Sequence, residues 1–521
     1  MQRLRDGADL RRKPRRRPPR AFYFRENGAL ERYAHPQRRD SMTERHFAHR
    51  IAEPVAPVGR LEVRNPFDLR PIATVDVVDR AGVDRALAVA HALFRNRDAW
   101  LPAHERVAIL HCTAELMREQ SEALALAAAR EGGKPLVDSR IEVARAIDGM
   151  RNCAELLRTE GGQQIPMGAT AASAGRLAFT TREPIGPVVA VSAFNHPLNL
   201  AVHQIGPAVA AGCPVVIKPA EDTPLSCLRL IDLLREAGLP AGWAQTLMTD
   251  SLETAEALVT DPRVAFFSFI GSAPVGWHLR ARLAPGTRCA LEHGGVAPVI
   301  VDRGIDLDEV VPLLAKGGFY HAGQVCVSVQ RVYADRMIAE TLAHALAEAG
   351  NAMPVGDPTH EDTAIGPLIR PAETARVHTW VQEAVAGDAR LLSGGQPLSE
   401  TCYAPTVLLD PPKDARVSTR EVFGPVIAVY PYDDPDEAVH RANALPFAFQ
   451  ASVFTRDLGF ALRAATRLDA SAVMINDHTA FRVDWMPFAG LRQSGLGTGG
   501  IPHSFRDMQV EKMLVLRAQG L

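Results

Sequence analysis

No apolar run in this chain approaches the roughly 18 residues that a membrane-crossing helix needs. The longest candidate, Ile205 to Ile217, is shorter and is interrupted by Pro207 and Pro214. Cysteine pairing is also missing. The seven cysteines (112, 153, 213, 227, 289, 326 and 402) contain no C-x-x-C and have no histidine cluster beside them. An odd, dispersed set argues against a disulfide framework or a structural zinc site, so no metal is expected and a reducing compartment is. Excess charge is absent as well: the formal net charge of −2 gives no general reason to expect nucleic acid or membrane as a partner. No internal repeat is evident, and no G-x-G-x-x-G follows the early strands. What remains is an ordinary globular balance of 47% hydrophobic and 23% charged residues over 521 positions, enough for two or three packed units.

The first stretch, about residues 1–45, departs from that balance. Its run Arg11-Arg12-Lys13-Pro14-Arg15-Arg16-Arg17-Pro18-Pro19-Arg20 is basic and cannot build a core. The prolines oppose an amphipathic transit helix, and the apolar centre of a secretory signal is missing. A dispensable disordered tail is expected, with Met42 as a conceivable start and a nucleic-acid arm as the lesser reading.

From Ala81 the periodicity turns helical. One long amphipathic helix is expected from about His104 to Arg130, ending at Gly132-Gly133, and another from Leu136 to Thr159. Short β-branched or aromatic runs then alternate with helices: Val188–Val191, a helix from Leu198 to Ala211, Val215–Ile217, a helix from Pro224 to Ala237, Ala265–Phe269, a helix from Pro274, and Cys289–Leu291. This order predicts an α/β fold with a parallel sheet covered on both faces, which binds ligands beyond the carboxyl ends of its strands. A second α/β unit follows from about Val296 through Val453-Phe454. Leu177–Arg182 and Val510–Leu516 stand apart as extended segments, and an exposed apolar strand of that kind wants a partner.

Several local patterns fall in one order: Ser192-Ala193-Phe194-Asn195-His196-Pro197, Lys218-Pro219-Ala220-Glu221, Phe269-Ile270-Gly271-Ser272 with Gly276, Glu292-His293-Gly294-Gly295, and Gly323-Gln324-Val325-Cys326. Glu421-Val422-Phe423-Gly424-Pro425 and Pro487-Phe488-Ala489-Gly490 come later. Together they resemble the aldehyde dehydrogenase superfamily from about residue 50 to the C-terminus.

The chemistry suits these residue types. An aldehyde carbon cannot expel hydride until a nucleophile adds to it, and a thiolate does so reversibly. The resemblance implies Cys326 as nucleophile, Asn195 with the Cys326 N–H as oxyanion hole, and Glu292 as the base that activates water. It further implies that Gly271, Ser272 and Gly276 face a dinucleotide pyrophosphate and that Lys218 and Glu221 hold its adenosine ribose. Glu421 and Phe423 would then meet the nicotinamide end. A carboxylate at Glu221 favours NAD, with NADP as the alternative. The family usually has Leu after the glutamate. His293 there predicts altered packing, or an influence on Glu292.

For the aldehyde itself, His196, His203, Arg482 and Phe488 are the candidates, with Arg140 and Glu142 on a helix expected at the tunnel mouth. This polar set suggests a small hydroxylated or anionic aldehyde, with Arg482 as anchor or, alternatively, as the ion-pair partner of Asp484. The expected organisation is a cofactor domain from 46–165 and 184–294, a catalytic domain at 295–495, and a bridging sheet from 166–183 and 507–521 that joins subunits into homodimers or homotetramers. A cytoplasmic location follows from the reducing compartment and the missing leader. The alternatives are a coenzyme A-acylating enzyme, which Glu292 disfavours, and a non-catalytic NAD-binding protein of the same fold.

Overall fold

A computed structural model describes residues 46–518; the basic stretch at 1–45 and the last three residues lie outside it. The chain is α/β, as the alternation of elements predicts. A six-stranded sheet has the order Gly495–Leu496, Arg288–Glu292, Phe266–Ile270, Val188–Val191, Val215–Lys218, Ala244–Thr246. Five of these strands run parallel, and Gly495–Leu496 adds antiparallel at the edge. The chain begins this sheet at its centre with Val188–Val191, builds outward through 215 and 244, then returns to add 266 and 288 on the other side. That reversal makes a switch point between Val188–Val191 and Phe266–Ile270, and a crevice opens beyond their carboxyl ends.

A seven-stranded sheet has the order Arg390–Ser393, Thr406–Leu409, Val426–Tyr432, Arg331–Asp335, Pro298–Val301, Gln450–Phe454, Ala472–Ile475. Its neighbours are parallel except Arg390–Ser393. Gln509–Arg517, Arg176–Pro184 and Gln164–Ile165 form a third, antiparallel sheet. Within it, Gln509–Arg517 is an edge strand whose Met513, Leu514, Val515 and Leu516 are exposed. Among the described residues, no helix is long and apolar enough to cross a membrane.

The expected single helix from His104 to Arg130 is two, Ala103–Glu119 and Ser121–Gly132. Gln120 breaks it with φ −108° and ψ 17°, and its N–H is shared among the carbonyls of the turn before it. The bend lets both segments lie against the helix Leu136–Thr159, which a straight rod would leave. Gly133, at φ 72°, closes the second segment as the glycine pair predicts. A Cβ there would also strike Pro66 and Pro367 at about 2.9 Å and 2.8 Å.

Candidate active site

Strand Val188–Val191 delivers Ser192–His196 into the crevice, and Pro197, with its fixed φ and no N–H to satisfy, starts the helix Pro197–Ala211. Asn195 is buried, and its Nδ2 donates to the Gln324 carbonyl at 2.9 Å. One bond thus ties the asparagine to the segment that carries Cys326. That segment is strained. His321, Ala322 and Gly323 all lie in the left-handed region, at φ 48°, 54° and 70°, where each non-glycine residue costs about 1–2 kcal/mol. Gln324 holds it there: Oε1 accepts from Ile369 N–H at 2.9 Å, and Nε2 donates to the Pro367 carbonyl at 3.2 Å. Only glycine fits at 323, since a Cβ would come within 2.0 Å of the Gly424 carbonyl.

Cys326 emerges half-buried among Val325, Val327, Tyr320, Phe449 and Phe488, with its own carbonyl accepting from Gly295 N–H at 3.1 Å. Burial pushes the Cys326 thiol up to about 12; Arg482 opposes this, while Glu421 and Glu292 add to it. Glu292 is the last residue of strand Arg288–Glu292, opposite Gly495. Its carboxyl is raised by burial and drawn back by Arg482. A Cβ at position 499 would sit 2.0 Å from Glu292 Oε1, so Gly499 keeps that space open. Thiol, carboxyl and guanidinium therefore share one electrostatic environment.

Of the residues expected to hold a dinucleotide, Lys218 ends strand Val215–Lys218 and Gly271 follows Phe266–Ile270 in the six-stranded sheet, whereas Glu421 and Phe423 precede Val426–Tyr432 of the seven-stranded one. Lys218 is buried and pairs with Glu221 at 3.4 Å. Glu221 borders an open groove of about 550 Å³ with Thr249, Asp250 and Ser251. Thr249 Oγ1 there is buried without a partner. Ser272 stands at the N-cap of helix Ala273–Arg280, yet its hydroxyl makes no capping bond. Glu421 is partly buried, its Oε1 sealed and without a hydrogen-bond partner among the described residues, and burial pushes its carboxyl up to about 8 against the pull of Arg376. Phe423, at φ 47°, sets its ring edge-on to Phe194 at 5.8 Å. The Ser272 and Thr249 hydroxyls offer donors to a pyrophosphate or a sugar oxygen, and the Glu421 carboxylate oxygen offers an acceptor to a ligand hydroxyl. Gly276 has a further reason: a Cβ there would lie 2.0 Å from His293 Cε1. His293 itself turns toward the Gly271 carbonyl, with Nδ1 at 2.9 Å, and packs against Phe269 and Trp277. Its place is thus packing under the helix start rather than tuning Glu292.

The pocket candidates divide. His203 is buried, with Nε2 on Asp484 at 2.7 Å, so it anchors the 481–488 loop from below. Asp484 also accepts from Arg145 at 2.7 and 3.1 Å and from Asn199 at 3.1 Å. Burial alone would raise the Asp484 carboxyl, but His203 and Arg145 hold it well below the carboxylate range. Arg482 is therefore not its salt-bridge partner. Instead the Arg482 guanidinium lies 3.4 Å above the Phe488 ring, with Nε buried and unpaired. Arg140 is exposed between Glu122 and Glu361. Glu142 is sealed inside and does not line a mouth. Sequence reasoning quoted Gln324 only as part of a motif and missed Arg145 and Lys134, and the partners of the three lie 8 to 339 positions distant.

With this geometry in place, comparison with known proteins is specific. The profile of the aldehyde dehydrogenase family matches residues 55–514. A 3-sulfolactaldehyde dehydrogenase from Priestia aryabhattai is 38% identical over 457 residues, covering 88% of this chain and 95% of the relative. The crystal structure of aldehyde dehydrogenase 21 from Physcomitrella patens, in complex with the reaction product succinate, superposes with a TM-score of 0.88 at 36% identity, covering 92% of this chain and 99% of that one. A glyceraldehyde-3-phosphate dehydrogenase from Methanocaldococcus jannaschii, complexed with NADP, gives 0.83 at 33% identity over 88% of this chain and 99% of that one.

Proposed function

Because the chain belongs to the aldehyde dehydrogenase family, we propose that Cys326, Asn195 and Glu292 carry out its oxidation of an aldehyde to a carboxylic acid. The acceptor is a nicotinamide dinucleotide, and we read it as NAD, with NADP as the alternative, from the Glu221 carboxylate beside Lys218. When bound, it takes up the hydride that leaves the former aldehyde carbon.

In this reading Cys326 gives up its proton to solvent, the thiolate adds to the carbonyl carbon, and the Asn195 amide and Cys326 N–H stabilise the oxyanion. Loss of hydride leaves a thioester on Cys326. Glu292 then takes a proton from water as it attacks that thioester, freeing the acid and the thiol. The raised Glu292 carboxyl suits a group that must accept a proton and give it up again near neutral pH. Lys218 and Glu221 hold the adenosine ribose, Gly271 and Ser272 the pyrophosphate, and Glu421 with Phe423 the nicotinamide end. We assign 46–165 with 184–294 to the cofactor domain, 295–495 to the catalytic domain, and 166–183 with 507–521 to a sheet that joins two or four copies. A reducing, cytoplasmic setting fits a nucleophilic thiol.

We read the substrate as a small anionic aldehyde. The observation that carries this is Arg482: a partly buried cation whose Nε is sealed and unpaired, with no ion-pair partner among the described residues, within electrostatic reach of both Cys326 and Glu292. A carboxylate, sulfonate or phosphate on the aldehyde would neutralise it. The relatives named for sulfolactaldehyde and glyceraldehyde 3-phosphate, and the one holding succinate, carry such groups. Arg482→Ala should raise KM for anionic semialdehydes about 100-fold, worth about 3 kcal/mol, and change KM for neutral aldehydes little. An unchanged preference would reject the anchor.

A further inference from the structure

Lys134 is completely buried and takes no part in the chemistry above. It follows the Gly132-Gly133 turn, and its ammonium meets two groups at once. One is the Glu142 carboxylate on the helix Leu136–Thr159. The other is Nδ1 of His196, 2.5 Å away, in the residue beside Asn195.

The proton inventory of this cluster is constrained. Glu142 Oε1 accepts from the Leu198 and Asn199 N–H groups at 2.9 and 3.0 Å, at the otherwise uncapped start of the helix Pro197–Ala211. Its Oε2 accepts from Lys134. A carboxyl that accepts three donors is ionised, and a sealed carboxylate needs a cation beside it. Burial draws the Lys134 ammonium down, and Glu142 pushes it back. An ammonium only donates, so Nδ1 of His196 is the acceptor and the imidazole carries its proton on Nε2.

The other groups around the ring keep it neutral. Burial comes first, then Lys134, His321, Arg145 and Arg482, and together they hold His196 well below the usual histidine range. Glu142, 4.0 Å from Nδ1, is the opposing charge, and Tyr320, its ring 6.1 Å away, stays protonated because burial raises it. Nε2 has no partner among the described residues and is not sealed in. It belongs to a ring that neighbours Tyr320 and His321, just upstream of Cys326.

We propose that Lys134 is a positioning residue that locks His196 as a neutral Nε2–H donor, and that this donor binds an oxygen on the chain of the aldehyde. The proposal deepens the aldehyde-oxidation reading and rests on it. Arg482 supplies the positive charge, and His196 supplies direction without a second charge that would come and go with pH.

The test compares the unmodified enzyme, Lys134→Met, and the double variant Lys134→Met/His196→Gln, with KM and kcat for an anionic aldehyde measured from about pH 5.5 to 8.5. The unmodified enzyme should show no histidine-like titration in KM. Lys134→Met frees Nδ1 to take a proton opposite Glu142, so KM should change on the order of tenfold through the histidine range while kcat moves little. The double variant should be flat again, because an amide donates without titrating. A flat KM in Lys134→Met overturns the proposal, as does a titration that survives in the double variant. Cysteine-independent or absent turnover in the unmodified enzyme overturns the catalytic reading instead. Neutron diffraction of the unmodified protein decides proton placement without any variant or substrate. A proton on Nε2 with three on Lys134 Nζ supports the proposal, and a proton on Nδ1 or a neutral amine contradicts it.

Discussion

Cys326 faces opposing fields. Burial and two nearby carboxyls, Glu421 and Glu292, raise its thiol, and the Arg482 guanidinium lowers it. A raised thiol is mostly protonated at neutral pH, so the nucleophilic fraction grows about tenfold per pH unit until another group limits it. The raised Glu292 carboxyl works in the same direction, since in its proposed role as base it too must lose its proton. kcat/KM should therefore climb from about pH 6 to 9, and Arg482→Met, which removes the opposing cation, should displace the rise to higher pH. A profile that is level from pH 6 upward in both proteins would refute this electrostatic account. At this scale the proposed roles could be read from the sequence where chemistry is local to a motif: Cys326 after Gly323-Gln324-Val325, Glu292 ahead of His293-Gly294-Gly295, Asn195 after a strand. It left Arg482 open between substrate anchor and partner of Asp484, because Arg145 and His203 reach Asp484 from helices 339 and 281 positions away in the chain. Lys134 was illegible for the same reason: nothing near it in the sequence marks His196, 62 positions on, as its partner.

Elements beneath the site are fixed by side chains from other elements. Glu142 caps the helix Pro197–Ala211, and Glu131 caps Leu225–Glu236 by accepting from Leu225 and Ser226 N–H at 2.7 and 2.8 Å. Both helices lack a capping side chain of their own, so their starts were visible only as prolines. The 481–488 loop depends likewise on Asp484, which ties it to Leu136–Thr159 through Arg145 and to Pro197–Ala211 through His203 and Asn199. Asp484→Ala would strand the partly buried Arg145 guanidinium and the buried His203 and Asn199 donors, at a cost of about 3 kcal/mol. Urea unfolding should show that loss of stability, and a loss below about 1 kcal/mol would mean that the loop is held some other way. The bend at Gln120 escaped the periodicity because both segments keep the same apolar spacing. Only packing against a third helix separates them.

Across the whole molecule, the run of alternating strands and helices made the parallel sheet legible, and the chain's return from Ala244–Thr246 to Phe266–Ile270 explains why the site lies at that sheet's switch point. Closure of the sheet was not legible. Gly495–Leu496 comes from the far end of the chain, and its pairing of Gly495 with Glu292 brings the late loop to the Glu292 strand end. The third sheet ends in a nine-residue edge strand with both faces of its apolar segment exposed. A strand of that length left bare invites pairing. Light scattering should find a mass above that of one chain, and Leu514→Asp/Leu516→Asp should lower it. A monomer in both cases would remove the assembly role of this strand. The central claim, that Cys326 is the nucleophile of an aldehyde-oxidising site, is tested most directly by following nicotinamide reduction with an anionic aldehyde panel, with NAD or NADP and without coenzyme A, in the unmodified protein and in Cys326→Ala. The account predicts turnover in the first and a loss of at least about a thousandfold in the second; turnover that survives the alanine would contradict it.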